Sequence, residues 1–433
     1  MRIYVSSLGC KLNQSEMDAL AVRLARRGHQ VVTSPVEADL CVLNTCAVTH
    51  VAARKSRQAL RRLHRDNPAA RLVATGCYAE LTPAALRDLP GVELVVGNRD
   101  KERLEELIGA GVTEDAATGS EVPNSPFPAS CSVPRSRTRA LLKIQDGCDN
   151  ACTYCIIHVA RGAQCSRPPD QVLAEVQARL ATGHREIVLT GVNIGAYGHD
   201  QGQDDRGTDL WALVARILAG SNVPRLRLSS IEPWDLPERA FNLWDDPRLC
   251  RHLHLPLQSG CDATLHRMAR RYTAVQFAAL TTAARAAISG LAVTTDLIVG
   301  FPGETDAEFA ESLTFVQEMG FARVHVFPYS PRSGTPAARM PDQVPSAVKA
   351  ERARAMRAVA ATSNRAFRQR FVGRTMNVLW ESSQVGEAGP VWSGLTDNYL
   401  RVHTVHPARL ANTITPARLV ALNRNGLLGQ IEA

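Results

Sequence analysis

Cys148, Cys152 and Cys155 stand in the run Gly147-Cys148-Asp149-Asn150-Ala151-Cys152-Thr153-Tyr154-Cys155, directly after the apolar stretch Leu141–Ile144. Three thiolates at this CxxxCxxC spacing can wrap one corner of an iron–sulfur cubane. A [4Fe–4S] cluster has four irons to ligate, so three thiolates leave one iron open to an outside ligand. Zinc is the competing reading. Closed zinc sites take four ligands, often in two CxxC-type pairs, and no second pair is visible in the chain.

Cys10, Cys46 and Cys77 repeat the theme, each following an apolar run, in Leu8-Gly9-Cys10, Asn44-Thr45-Cys46 and Thr75-Gly76-Cys77. Neighbouring parallel strands lie about 4.8 Å apart, and open sheets gather ligands outside their carboxyl ends. Three thiols so placed can converge on a second cluster, again with one iron free. Cys41 lies inside its run instead and reads as a small buried hydrophobe.

The elements that must position these thiols follow from periodicity. Strands are predicted at Ile3–Leu8, Gln30–Thr33, Leu40–Asn44, Arg71–Thr75 and Glu93–Val96, with a helix over Ser15–Arg27. That alternation implies a parallel, doubly wound sheet. A second series has strands at Leu141–Ile144, Glu186–Thr190, Arg225–Ser229, His252–Leu257, Ala292–Val299 and Arg323–Phe327. Its six βα units imply a partial (β/α)6 barrel, with the site at the carboxyl ends of the strands. Between the two, Gly109 to Arg139 is rich in Gly, Ala, Ser and Pro and reads as an irregular connection.

A basic helical stretch runs from Pro345 to Phe371, with Lys349, Arg352, Arg354, Arg357, Arg365, Arg368 and Arg370. The tail then changes to short β-like segments, Thr375–Trp380, Leu400–His403 and Arg418–Leu422, the pattern of a small β-barrel. The expected class is therefore α/β, with four parts at residues 1–112, 113–134 (a linker), 135–372 and 373–433.

Composition agrees. The chain has 433 residues, too many for one ordinary core, and a formal charge of +8 that suits a polyanionic partner without demanding one. No run of about 18 apolar residues occurs, so no membrane span is expected, and the opening apolar stretch is too short for a signal peptide. Eleven cysteines in a chain with no visible export signal point to metal or redox use in the cytoplasm rather than to structural disulfides.

The CxxxCxxC with its preceding strand and Tyr154 resembles the radical S-adenosylmethionine superfamily. That resemblance implies that the open iron chelates S-adenosylmethionine, whose reductive cleavage gives a 5′-deoxyadenosyl radical. It further implies cofactor contacts at Tyr154, Gly191, Asn193, Ser230, Gln258 and Val299, most of them at the ends of successive strands. Gly9-Cys10-Lys11-Leu12-Asn13, Asn44-Thr45-Cys46 and Gly76-Cys77, ahead of the CxxxCxxC, resemble the methylthiotransferase family over nearly the whole chain. This implies two [4Fe–4S] clusters, one on Cys148, Cys152 and Cys155 and an auxiliary one on Cys10, Cys46 and Cys77, together with S-adenosylmethionine and a low-potential electron donor. The tail is similar to the TRAM module, an RNA-binding barrel.

Three branches of that family compete, acting on threonylcarbamoyladenosine in tRNA, on isopentenyladenosine in tRNA, or on a ribosomal-protein aspartate. Lys11 and Gln14 beside Cys10, Cys155-Ile156-Ile157 and Ala160-Arg161-Gly162 resemble the first branch. His158 departs from it, standing where proline is usual, and Cys165 and Cys261 replace commonly polar positions. The first branch implies position 37 of the tRNA anticodon arm as target, with Arg161 a candidate partner for the threonylcarbamoyl carboxylate. The basic helix and Arg374, Arg401, Arg409, Arg418 and Arg424 are candidate phosphate contacts. A non-catalytic cluster-carrying RNA-binding protein stays open as an alternative.

Overall fold

Five parallel strands open the chain: β1 (Arg2–Ser7), β2 (Gln30–Val32), β3 (Leu40–Thr45), β4 (Arg71–Gly76) and β5 (Val92–Val96), in the order β2-β1-β3-β4-β5. The computed structural model describes residues 1–109, 138–200, 209–387 and 389–431, so the 113–134 linker lies outside the described residues. Every residue of the central strand β3 is buried, as a strand covered on both faces requires. Alternate side chains divide between two cores. Ile3, Leu40, Val42 and Val73 pack with Met17, Leu20 and Leu24 of helix α1 (Lys11–Arg26). Cys41, Leu43, Leu72 and Ala74 pack on the other face with Ala53, Leu60 and Leu63 of helix α2 (His50–Asp66), so Cys41 sits in the core as expected. The strand order reverses between β1 and β3, which makes a crevice at their carboxyl ends.

The second unit begins at β6 (Arg139–Lys143), followed by a two-residue ribbon of β7 (Gln145–Asp146) and β8 (Cys165–Ser166). Then come β9 (Glu186–Thr190), β10 (Arg225–Leu228), β11 (His252–His254), β12 (Ala292–Val299) and β13 (Arg323–Pro328). Two parallel sheets, β10-β9-β6 and β11-β12-β13, are joined by parallel bridges from Leu226 to Leu249 and from Ser230 to His254. The result is an open, six-stranded partial barrel with helices such as Pro169–Ala181, Leu210–Gly220 and Ala274–Ala287 outside it. Leu142, Leu189, Leu226, Leu253 and Val293 face those helices in one apolar core.

An open barrel leaves an unpaired edge at β6, and α1 covers it. Ser15 Oγ donates to Leu141 O at 2.9 Å and accepts from Lys143 N at 3.1 Å. One hydroxyl thus satisfies two backbone groups of the edge strand and fastens the first unit to the second.

The long helix Ser346–Gln369 leads to the tail, a closed barrel of β14 (Thr375–Gly386), β15 (Gly389–Thr396), β16 (Arg401–Val405), β17 (Ile414–Asn423) and β18 (Gly426–Ile431). The sequence pattern predicts three of these five strands. Gly389 and Gly394 in β15, and Gly426 and Gly429 in β18, break up the apolar alternation of the other two.

The tail barrel docks beneath the partial barrel, at the amino ends of its strands. Arg225 donates to Leu395 O (2.9 Å) and Asn377 O (2.7 Å), and Arg227 to Asp397 O (2.8 Å). Arg251 pairs with Asp397 at 2.6 Å. Among the described residues no helix is long and apolar enough to cross a membrane.

Candidate metal centres and cofactor site

The three cysteines of the first unit follow three adjacent strands. Cys10 caps α1 after β1, Cys46 follows β3, and Cys77 opens the short helix α3 (Cys77–Leu81) after β4. Two glycines permit the close approach. A Cβ at Gly9 (φ +98°) would stand 2.7 Å from Cys46 Sγ, and one at Gly76 (φ +99°) would stand 2.5 Å from Thr45 O. Asn13 locks the loops together, donating to Leu8 O at 2.8 Å and Thr45 O at 3.2 Å, while Thr45 Oγ1 donates to Thr75 O at 2.6 Å.

Cys46 and Cys77 are buried and Cys10 is exposed. Desolvation by the surrounding protein pushes the Cys10 thiol up, with Arg161 opposing and Cys77 adding. Burial, and then the charges of Cys10 and Cys77, push Cys46 up to about 11. Cys10, Cys46 and Cys77 thus share one small space, and a bound metal is what draws protons off such thiols.

The second trio lies at the carboxyl end of β7. Gly147 (φ +65°) admits no side chain, because a Cβ there would stand 1.8 Å from Ala163 O. Gln145 ties the loop to the next strand: its Nε2 donates to Gly147 O at 2.8 Å, and its Oε1 accepts from Val192 N and Asn193 N, each at 3.0 Å. Thr153 is held by Met268 O and Arg267 O at 3.2 and 2.8 Å. Burial, then Cys152 and Cys148, push Cys155 up to about 12.

Among the described residues no three His, Cys, Asp or Glu side chains close on a single metal ion.

The proposed cofactor contacts share the rim with Cys148, Cys152 and Cys155. Gly191 and Asn193 follow β9, Ser230 follows β10, Gln258 follows β11, and Val299 ends β12. Asn193 donates to Asp235 Oδ2 at 3.0 Å, while its Oδ1 and the Ser229 Oγ are buried with no hydrogen-bond partner among the described residues. Two orphaned buried acceptors at a strand-end rim fit a polar ligand there. Gln258 holds a left-handed backbone (φ +67°), pinned by its N–H to Asp296 O at 2.8 Å and its carbonyl to Ile298 N at 2.9 Å.

Arg270 escaped the sequence reading. Its side chain is fully buried, pairs with Glu232, and puts Nη1 3.5 Å from Cys152 Sγ and 3.4 Å from Tyr154 Oη. The guanidinium also lies over the Trp234 ring, 4.8 Å from its centroid. A buried cation against this thiol would offset the negative charge of a cluster bound there. In the run Arg270-Arg271-Tyr272 it reads as ordinary surface charge, and only the left-handed turn at Ala269 (φ +56°) sends it inward.

Arg161 requires a correction. Its side chain is 2% exposed, and its nitrogens reach Glu16 (2.8 Å), Asp146 (2.8 Å) and Asn13 Oδ1 (2.8 Å). Protein carboxylates already engage the guanidinium, so it is not placed to receive a substrate carboxylate. Instead it bridges the loop after Cys10 to the loop before Cys148. Glu16, with Lys101 at 2.7 Å, stays ionised: burial alone would raise its pKa, but Lys101, Arg161 and Lys143 together hold it well below the usual range.

The basic residues divide as well. Arg352 is buried on Glu304 (2.8 Å), Arg368 donates to Asn423 O (2.9 Å), and Arg401 faces Glu381 (3.6 Å). Arg354, Arg357, Arg365, Arg370, Arg374, Arg409, Arg418 and Arg424 are exposed.

Comparison with known proteins places this geometry. Residues 2–97 match the family model described as Uncharacterized protein family UPF0004, and residues 142–316 match the Radical SAM superfamily. The chain is 39% identical over 402 residues to the threonylcarbamoyladenosine tRNA methylthiotransferase MtaB of Bacillus subtilis (strain 168), covering 92% of this chain and 88% of that relative. It is 34% identical over 444 residues to the tRNA-2-methylthio-N(6)-dimethylallyladenosine synthase of Maricaulis maris (strain MCS10), covering 99% and 97%. Among solved structures, the radical S-adenosylmethionine methyltransferase TsrM from Kitasatospora setae superposes with a TM-score of 0.57 at 17% identity, over 78% of this chain and 75% of that one. That likeness is one of fold.

Proposed function

The chain belongs to the radical S-adenosylmethionine tRNA methylthiotransferases, with two [4Fe–4S] clusters and S-adenosylmethionine as cofactors, and from that premise we propose the substrate and the role of each site. The substrate is N6-threonylcarbamoyladenosine at position 37 of the tRNA anticodon arm. Carbon 2 of its base exchanges a hydrogen for a methylthio group. The reading draws on the names of three relatives, at 36–39% identity, against 34% for the dimethylallyl relative.

The observation that carries the division of labour is the presence of two separate three-thiol sites linked by one buried arginine. Cys148, Cys152 and Cys155 would hold the cluster that binds S-adenosylmethionine, and Cys10, Cys46 and Cys77 the auxiliary cluster. When bound, these groups supply a substrate radical and a transferable sulfur. Everything else falls to the protein. Tyr154, Gly191, Asn193, Ser230, Gln258 and Val299 would seat S-adenosylmethionine on the strand-end rim. Gln145 and Thr153 hold the loop of the first trio in shape, and Arg270 offsets charge at Cys152. Arg161 fixes the two loops relative to each other. The exposed arginines of the long helix and tail would follow the anticodon-arm phosphates, and a low-potential donor in the cytoplasm would supply electrons.

Nucleoside mass spectrometry of tRNA from a strain lacking the gene tests the substrate. The methylthio derivative of threonylcarbamoyladenosine should vanish while the unmethylthiolated nucleoside accumulates. Loss of the isopentenyladenosine derivative instead would move the enzyme to the other tRNA branch.

A further inference from the structure

The concave face of the partial barrel is polar. On β10, β11 and β12 the leucines and valines at Leu226, Leu228, Leu253, Val293 and Leu297 face the outer helices. Strand alternation therefore turns Arg227, His252, His254, Thr294 and Asp296 inward. Most charge there is already matched. Arg227 pairs with Glu186 at 2.7 Å with both side chains fully buried, and Arg139 pairs with Glu381 at 2.8 Å. His254 lies 3.4 Å from Asp296.

Tyr399 of the tail barrel enters this face from below. Its hydroxyl accepts from Arg139 Nη1 at 2.9 Å, and its ring stacks on His252 with centroids 4.7 Å apart. Lys11, the residue after Cys10, also reaches this ring. Its Nζ lies 5.6 Å from the centre of the Tyr399 ring. Among the described residues the Lys11 ammonium makes no hydrogen bond or ion pair, the exception among the cations around that ring. His252, itself buried, leaves its Nδ1 without a hydrogen-bond partner among the described residues.

We infer that Lys11, above the Tyr399–His252 stack, is a specificity-determining residue that binds a carboxylate of the substrate. The inference rests on the threonylcarbamoyl reading and gives its carboxylate a seat that Arg161 cannot offer. Three features of the site favour an anion. The ammonium is uncompensated. The nearby guanidiniums of Arg139 and Arg227 add positive field, although each has its own carboxylate. The aromatic floor excludes water from one side, which strengthens a charge-assisted hydrogen bond. Position matters too. Lys11 follows Cys10 in the chain, so the segment that would hold the substrate's side group also carries one auxiliary thiol. An isopentenyl group has nothing to offer this ammonium and would leave it desolvated and unpaired.

The test uses reconstituted full-length enzyme and three anticodon stem-loops, bearing threonylcarbamoyladenosine, its carboxamide analogue, or isopentenyladenosine. Binding is compared for wild type, Lys11→Arg and Lys11→Met at matched iron content. Wild type should prefer the carboxylate to the carboxamide by about tenfold or more, the range of one charge-assisted hydrogen bond. Lys11→Arg should keep most of that preference, and Lys11→Met should bring the ratio near one. A Lys11→Met protein that retains the wild-type ratio overturns the role of Lys11 and leaves the substrate reading intact. Wild-type enzyme that binds the isopentenyl stem-loop best overturns the substrate reading itself.

Discussion

Arg161 and Glu16 meet at 2.8 Å inside the protein, one closing the helix after the CxxxCxxC loop and the other lying one turn and a half into the first long helix. With Asp146 sharing the same Nη1, they tie the two three-thiol loops into one rigid frame. Transfer between two separately bound groups depends on their spacing, and misplacement by about 1 Å can cost a hundredfold in rate.

Removing Arg161 should therefore damage both stability and transfer. Arg161→Met takes one of three cations from Glu16 and one of two from Asp146, with Lys101 and Lys143 left in place, a loss of about 1–3 kcal/mol, the range for removing a hydrogen bond to a charged group. Thermal unfolding should start several degrees lower, and Arg161→Lys should recover only part, since an ammonium cannot serve both carboxylates in a fork. The sign with pH is fixed by Glu16, whose folded pKa lies below its unfolded one. The network's contribution is full above the ordinary glutamate range, about 4.3, and declines as pH falls below it. A variant that melts like wild type at neutral pH would contradict this.

Iron content checks the two-site assignment. Anaerobically reconstituted protein should hold about eight irons, from two cubanes of four. Replacing Cys148, Cys152 and Cys155 together by Ala should leave about half. Unchanged iron after that substitution would contradict the placement of the first cluster.

The auxiliary trio is separable from radical formation. A Cys10, Cys46 and Cys77 triple Ala variant should still cleave S-adenosylmethionine reductively and should form no methylthiolated product. Product from this variant would show that the sulfur reaches the base by another route.

The tail is more than an appendage, because Arg225, Arg227 and Arg251 all bond to the end of β15 and the turn after it, at Leu395, Thr396 and Asp397. Truncation at residue 374 should destabilise the partial barrel as well as weaken tRNA binding. Substituting exposed Arg374, Arg409, Arg418 and Arg424 by Gln is the cleaner probe. Affinity for tRNA should fall, with the salt dependence shallower by about one per lost phosphate contact, while the unfolding temperature holds. An unchanged salt slope would remove these residues from the RNA interface.

What the sequence made legible depended on how local the signal was. The six cysteines stand in short motifs after apolar runs; the structure sets Cys10, Cys46 and Cys77 just past β1, β3 and β4, and Cys148, Cys152 and Cys155 in the loop after β7. The boundaries of regular strands such as Glu186–Thr190 and Ala292–Val299 were equally readable. Arg161 was not, because its partner Glu16 lies 145 residues away and no local pattern distinguishes a bridging arginine from a substrate ligand. Arg270 was hidden for the same reason, and Tyr399 because a lone tyrosine after a turn carries no mark of the barrel it enters. The first helix begins at Lys11 rather than Ser15, since the left-handed Gly9 lets Cys10 act as its cap.

The central claim is that this enzyme methylthiolates threonylcarbamoyladenosine at position 37, and a direct competition tests it. Reconstituted enzyme, S-adenosylmethionine and a strong reductant are given equal amounts of anticodon stem-loops bearing threonylcarbamoyladenosine and isopentenyladenosine, with the ribosomal protein as a third candidate. Product nucleosides and peptides are then read by mass spectrometry. The account predicts a methylthio group on carbon 2 of the threonylcarbamoyl nucleoside, with the other two substrates essentially untouched. Methylthiolation of the isopentenyl stem-loop or of the protein, in preference to it, would contradict the account.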